Sequence, residues 1–195
     1  MQIKRGEWLL VIFNLAYIIP FTLYYISIKN FEFLWYVFIL VAIFLAIAGT
    51  LRKTKFDYLI LWGLSIWGLM HMVGGGIVVN GEVIYAFKLI PIIENADYSI
   101  LKYDQFVHFY LYVIVSMAAF HLLSREIKGK ANYMILIMAT LVSIGIGALN
   151  EIAEFSAVLF FPETGVGGYY NNSWDLVFNS FGAILGTVIA HFRKK

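Results

Sequence analysis

Six apolar stretches, each close to the length a helix needs to cross a bilayer, constrain this 195-residue chain more than any other feature. A spanning helix takes about 20 residues to traverse ~30 Å of hydrocarbon. Segments at about 8–28, 33–51, 57–79, 99–123, 133–161 and 173–192 meet that requirement. The fifth is long enough to tilt or to protrude beyond the lipid. Hydrophobic residues make up 62% of the chain and charged residues 13%, against about 45–50% and about 25% in soluble domains. So much apolar surface has no aqueous home. The expected fold is all-α: a polytopic membrane helix bundle of about six transmembrane helices, forming a single domain over residues 1–195. The N-terminal Met-Gln-Ile-Lys-Arg precedes an apolar run too long for a signal-peptide core and without a small-residue cleavage site, so it reads as a retained first span.

The basic residues give this bundle a direction. Lys4 and Arg5, then Arg52, Lys53 and Lys55, then Arg125, Lys128 and Lys130, then Arg193, Lys194 and Lys195 all fall on one side of the six spans. Only Lys29, Lys88 and Lys102 fall on the other. The positive-inside rule puts both termini in the cytoplasm of a multi-pass cell-membrane protein. A net charge of +2 is too small to suggest nucleic acid as a partner, which leaves membrane lipid as the expected one and the oligomeric state undetermined. The absence of cysteine excludes disulfides, thiolate metal ligands and palmitoylation. Turn formers and aromatics mark two outer connections, 80–98 (Gly81, Pro91, Glu94, Asn95, Asp97) and 162–172 (Pro162, Gly165, Gly167, Gly168, Tyr169, Tyr170).

With direction comes depth. The fourth span descends from outside, so Asp104 and His108 occupy its first turns, four residues apart on one face. The fifth rises from inside and carries Asn150, Glu151 and Glu154 in its outer part. The sixth begins outside with Asp175 and Asn179, and His71 lies in the outer half of the third. Acids and imidazoles from four spans thus converge on one depth, while the inner halves are almost free of ionisable groups. A charge at the centre of a bilayer costs at least ~2.5–3.5 kcal/mol even on lenient insertion scales, so such groups call for a partner.

Each residue also has a structural explanation. Asp175 and Asp104 begin helices, where an acid complements the helix dipole and caps; Asp104, several residues inside its span, fits that reading less well. His108 can simply bond Asp104 or a neighbouring helix. Glu151 and Glu154, one turn apart, repel each other unless a shared proton, a cation or a basic partner such as Lys102 intervenes. His71 precedes Gly74-Gly75-Gly76, which alone could be a tight helix exit. His121 and His191 sit near the cytoplasmic ends. Gly182 and Gly186, with Ala183, form a small-residue face suited to close helix packing.

Carboxylates and imidazoles without thiolates suit zinc, manganese, iron or magnesium. The candidate metal ligands are His71, Asp104, His108, Glu154 and Asp175. Glu151 and Glu154 are the candidate catalytic carboxylates, one of them left over as a general base beside a metal-bound water. No cofactor other than such a metal is suggested, and no nucleophile-elbow, phosphate-loop, zinc-protease or dinucleotide motif is present.

His71 with Gly74-Gly75, Tyr85, Pro91 and Tyr103-Asp104-x-x-x-His108-Phe109 resembles the bacterial YjdF-type inner-membrane family. Glu151-x-x-Glu154 and Asp175-x-x-x-Asn179-x-x-Gly182-x-x-x-Gly186 are similar to that family and, more loosely, to the VanZ-like group, over roughly residues 57–190. Where the YjdF-type pattern tends to place Gly-Asp before Trp-Asp, this chain has Asn172-Ser173, which removes an acid from the candidate site. The resemblance implies a membrane protein without an assigned activity, and its VanZ-like side points to cell-envelope biology. Three functional readings stand open. They are a metal-dependent hydrolase acting on a lipid or envelope precursor, a non-catalytic protein whose polar cluster is structural, and a small transporter.

Overall fold

The computed structural model describes residues 4–90, 92, 99–127, 133–160 and 168–194. Six helices, all long and apolar enough to cross a membrane, account for nearly all of this: α1 (Arg5–Ser27), α2 (Phe31–Thr54), α3 (Tyr58–Gly76), α4 (Tyr103–Glu126), α5 (Tyr133–Phe160) and α6 (Tyr169–Lys194). Pro91, Glu94, Asn95, Asp97, Lys128, Lys130, Pro162, Gly165 and Gly167 lie outside the described residues. The chain divides into two compact units, Met1–Tyr85 and Ala86–Lys195.

In the first unit α1, α2 and α3 pack together. Their starts and stops are set by local chemistry. Asn30 and Asp57 cap α2 and α3 by accepting the backbone N–H of Phe33 and Ile60, both at 3.0 Å. α2 ends at Lys55 in the left-handed region, φ 51°. Polar ties replace the hydrophobic driving force that lipid cannot supply between helices. The Asn14 amide donates to the Ser65 hydroxyl at 2.8 Å, and the Tyr25 hydroxyl to the Met72 carbonyl at 2.7 Å.

α3 stops at Gly76, three residues before the expected end of the third span. Val78–Val79 (β1) and Glu82–Val83 (β2) form a two-residue antiparallel hairpin instead, followed by a 3₁₀ turn at Ile84–Ala86. Asn80 and Gly81 both have positive φ, 54° and 85°. Asn-Gly is the pair a type I′ hairpin turn demands, so this turn was readable from the dipeptide.

In the second unit α4, α5 and α6 form a three-helix bundle in which α4 and α6 make the closest pairing. The core comprises Val107, Tyr112, Met117 and Phe120 of α4, Ile135, Ala139 and Ser143 of α5, and Ala183 and Thr187 of α6. The opposite face of α5 exposes Met134, Ile137, Leu141, Leu149, Ile152, Phe155 and Leu159. That stripe, at three- and four-residue spacing once the exposed Gly145 is counted between Leu141 and Leu149, would be an aggregation liability in water and is ordinary toward lipid tails. α4 is entered through a tight connection. The Gln105 side-chain oxygen accepts the N–H of Leu101 and Lys102 at 2.6 and 3.1 Å, and its amide donates to the Ser99 carbonyl at 3.3 Å.

The expected small-residue face on α6 is present. A Cβ at Gly182 would run into the Phe109 carbonyl oxygen, and one at Gly186 into the Val113 carbonyl oxygen and the Ser116 hydroxyl. These obstacles are largely backbone and cannot swing aside. Gly145 on α5 faces open space. Alanine in a helix interior is intrinsically favoured over glycine by ~1 kcal/mol, whereas overpacking costs typically ~1–3 kcal/mol. Thermal unfolding in detergent should therefore show Gly186→Ala clearly destabilised and Gly145→Ala unchanged or stabilised. Equal melting temperatures for the two variants would contradict the close α4–α6 approach.

Candidate metal centre

Every polar residue of the cluster in the second unit is placed by helix register. Asp104 and His108 lie on successive turns of α4. Glu151 and Glu154 lie in the last third of α5. Asn171, Asp175 and Asn179 follow one another at four-residue intervals on α6, one face of that helix. The three helix ends meet, and the imidazole of His108 is at the centre, 7% exposed.

On one side of the ring, Nε2 lies 3.7 Å from Asp104 Oδ1 and 3.6 Å from Glu154 Oε1. On the other, Nδ1 lies 3.0 Å from Asn179 Oδ1 and 3.4 Å from Glu151 Oε1. Suitable donor atoms of Asp104, His108 and Asp175 all fall within 4.8 Å of one another, as do those of His108, Glu151 and Glu154. With metal–ligand bonds of ~2.1 Å, the edge of a tetrahedral shell is about 3.4 Å, close to the two Nε2–oxygen spacings.

Four carboxylates surround one imidazole, and each is met by asparagine. Asn171 donates to Asp104 Oδ2 at 2.9 Å and to Asp175 Oδ2 at 2.7 Å. Asn172 and Asn179 donate to the two oxygens of Glu151 at 2.8 and 3.1 Å, and Asn150 donates to Glu154 Oε1 at 2.8 Å. The ammonium of Lys102, considered from sequence as a partner of the glutamates, donates to Asn171 Oδ1 at 3.3 Å instead. Carboxamides orient carboxylates without neutralising them. One fully buried acceptor of the cluster is left over: Asp175 is fully buried, and its Oδ1 has no hydrogen-bond partner among the described residues. A buried carboxylate oxygen without a donor is costly, and a bound cation is one way to satisfy it.

Of the sequence-named residues, Asp104, His108, Glu151, Glu154, Asp175 and Asn179 are brought together. His71 lies in the first unit, near the end of α3. Its ring sits among Phe33, Tyr36, Trp67 and Tyr85, stacked on Trp67 at 5.7 Å, and its Nδ1 meets the Tyr85 hydroxyl. His191 packs edge-on against Phe120 in the second unit.

Two expectations about depth are exchanged. α4 begins at Tyr103, so Asp104 is in its first turn, where the dipole reading is strong. α6 begins at Tyr169, four residues earlier than expected, so Asp175 is the acid lying well inside its helix. The same shift turns Asn171 and Asn172 from connection residues into helical ones. Sequence reasoning missed both as site residues. The available signal was the spacing of four between Asn171 and Asp175. Asn172, where the YjdF-type pattern has an acid nearby, reaches Glu151 directly, so this stretch contributes an amide to the cluster.

No curated protein and no solved structure matches the chain. A family model described as predicted membrane protein (DUF2238) matches residues 9–195. With both units covered by that match, the chain is a member of the DUF2238 family of predicted membrane proteins.

Proposed function

We propose that the second unit binds one divalent cation between His108 Nε2 and the carboxylates of Asp104, Glu154 and Asp175, and that this ion serves hydrolysis of a lipid or cell-envelope precursor. The observation that carries the cation is the fully buried Asp175: its Oδ1 has no hydrogen-bond partner among the described residues, and one of its carboxylate oxygens lies within 4.8 Å of ligand atoms of His108 and Asp104. Electrostatics points the same way. Like charges ~4 Å apart repel by roughly 4 kcal/mol at an effective dielectric of ~20. Among the described residues, the lysine tied into the network, Lys102, reaches Asp104 through Asn171. Three oxygens and one imidazole nitrogen suit zinc, manganese or iron, with magnesium the harder alternative.

Such an ion would supply a Lewis acid and an activated water. Both oxygens of Glu151 are held by amides, which favours an orienting role, whereas among the described residues Glu154 is held through Oε1 alone. Of the two candidate catalytic carboxylates, Glu154 is the better placed to exchange protons or to coordinate.

The basic residues support placing this end of the unit on the extracytoplasmic side of the cell membrane, with both termini cytoplasmic: Arg52 and Lys53 close α2, and Arg125 closes α4. Substrates reaching the site there would present a phosphate or ester at headgroup level. The likeness to the YjdF-type family, and more loosely to the VanZ-like group, agrees with an envelope role. The confinement of the acids to one helix end favours this reading over transport, which needs a path to the other side.

Protein purified in detergent and equilibrated with zinc or manganese should carry about one ion per chain by elemental analysis, and His108→Ala and Glu154→Ala should lose it. Metal-free wild type, with both variants folding and behaving like it, would leave the asparagine network as a purely structural tie between three helices. The same assay on His71→Ala tells whether the imidazole of the first unit belongs to the shell, as its position in the sequence suggested. Protons compete with metal for carboxylates and imidazole. Bound ion should therefore fall as pH is lowered, and occupancy that rises on acidification would contradict ligation by these groups.

A further inference from the structure

The proposed site leaves one question open: which nitrogen of His108 faces the ion, and what decides it. A neutral imidazole carries one N–H and one lone pair, and the bond made by one nitrogen sets the role of the other. The answer lies in Asn179, 1% exposed and bridging two groups at once. Its Nδ2 donates to Glu151 Oε1 at 3.1 Å, and its Oδ1 faces His108 Nδ1 at 3.0 Å.

An ionised carboxylate accepts and cannot donate, so the NH₂ end of the Asn179 amide must be the end that meets Glu151. The carbonyl end is then turned to His108, and a carbonyl oxygen also only accepts. Nδ1 must therefore carry the hydrogen. The second neighbour of Nδ1, Glu151 Oε1 at 3.4 Å, is again an acceptor and demands the same. Nε2 looks toward Asp104 and Glu154, which are acceptors too, so in the neutral ring that binds an ion between them the lone pair is on Nε2. Turning the amide over is opposed by the carboxylate of Glu151, which its carbonyl would then face. Gly147 of α5 lies against the amide, so that even a Cβ there would sit 3.2 Å from Asn179 Nδ2. Asn172 holds the other oxygen of Glu151, which extends the chain of bonds to Asn172–Glu151–Asn179–His108.

We propose that Asn179 is a positioning residue: through its carbonyl it holds His108 in the Nδ1–H form and thereby presents Nε2 as the metal-binding nitrogen, with Glu151 as the anchor that fixes the amide. The inference rests on the metal site proposed above. It separates the two glutamates by function, since Glu154 stands on the metal side of the ring and Glu151 on the side that orients it. Partners of this kind typically change metal affinity by roughly 10–100-fold when removed.

The test uses full-length protein labelled with ¹⁵N at histidine, loaded with ¹¹³Cd²⁺ in detergent micelles. The His108 resonances among the four histidines are identified by loss in His108→Gln. The expected result is ¹¹³Cd–¹⁵N coupling at Nε2, with the proton on Nδ1. Asn179→Leu, which keeps bulk and removes the acceptor, should weaken cadmium binding at least tenfold. Asn179→Asp, which keeps an acceptor facing Nδ1, should retain coupling at Nε2. Coupling at Nδ1 in wild type overturns this inference while leaving the metal site standing. So does an unchanged cadmium affinity in Asn179→Leu. Absence of bound cadmium in wild type overturns the metal site and the inference with it. If Asn179→Leu fails to fold, the wild-type and Asn179→Asp spectra still decide which nitrogen binds.

Discussion

Four carboxylates gathered around one buried imidazole, in a bundle built to be surrounded by lipid, are the constraint to which the second unit answers. Charges of one sign cannot be brought this close in a poorly polar medium without compensation, and the helices supply orientation in place of neutralisation. Asn150, Asn171, Asn172 and Asn179 each donate to a carboxylate. Neutral amides settle where each lone pair points and leave the net charge as it was. The cluster is organised, and Asp175 Oδ1 is its fully buried acceptor without a donor among the described residues. An arrangement of this kind is suited to receive a cation.

The geometry of that cluster depends on glycines far from it in chemistry. One face of α6 runs from Asn171 through Asp175 and Asn179 to Gly182, Gly186 and Ala190, polar at one end and small at the other. Where it is small, α6 lies directly on the carbonyls of Phe109 and Val113 of α4. The close approach there brings Asp175 and Asn179 within reach of His108. Packing and chemistry are thus set by one stripe of one helix, and Thr140 of α5 joins it through a 3.0 Å bond to Thr187.

The first unit uses polarity differently. Its polar side chains are tied by neutral bonds, Asn14 joining the Leu10 carbonyl, the Ser65 hydroxyl and the Tyr17 hydroxyl, and Tyr25 the Met72 carbonyl, and its half-buried His71 is enclosed by aromatic rings. Gly74 and Gly75 allow the rings of Tyr85 and Phe33 to lie against α3, a role for the glycines beyond ending the helix. His71 and His108, alike in sequence as histidines at the outer ends of their spans, occupy chemically different surroundings: an aromatic shell in one case and an acidic one in the other.

Hydropathy alone was enough to place six helices, because the thickness of hydrocarbon fixes how many apolar residues each must have, and nearly all helix ends fall within a few residues of the expected ones. Helical spacing also announced that Asp104 with His108, and Asp175 with Asn179, share faces. Sequence spacing could not show which atoms oppose one another across helices, because rotation and translation of one helix against another are set by side-chain packing. The starting point of α6 was hidden for a related reason: Tyr169 to Asn172 are too polar or interfacial to read as part of a span, yet they continue its hydrogen-bonded ladder. The pairing of each carboxylate with an amide, the division of Glu151 from Glu154 by the plane of one imidazole, and the orphaned oxygen of Asp175 exist only in three dimensions. They follow from close packing of α4, α5 and α6, which turns residues distant in the chain into neighbours within 4 Å.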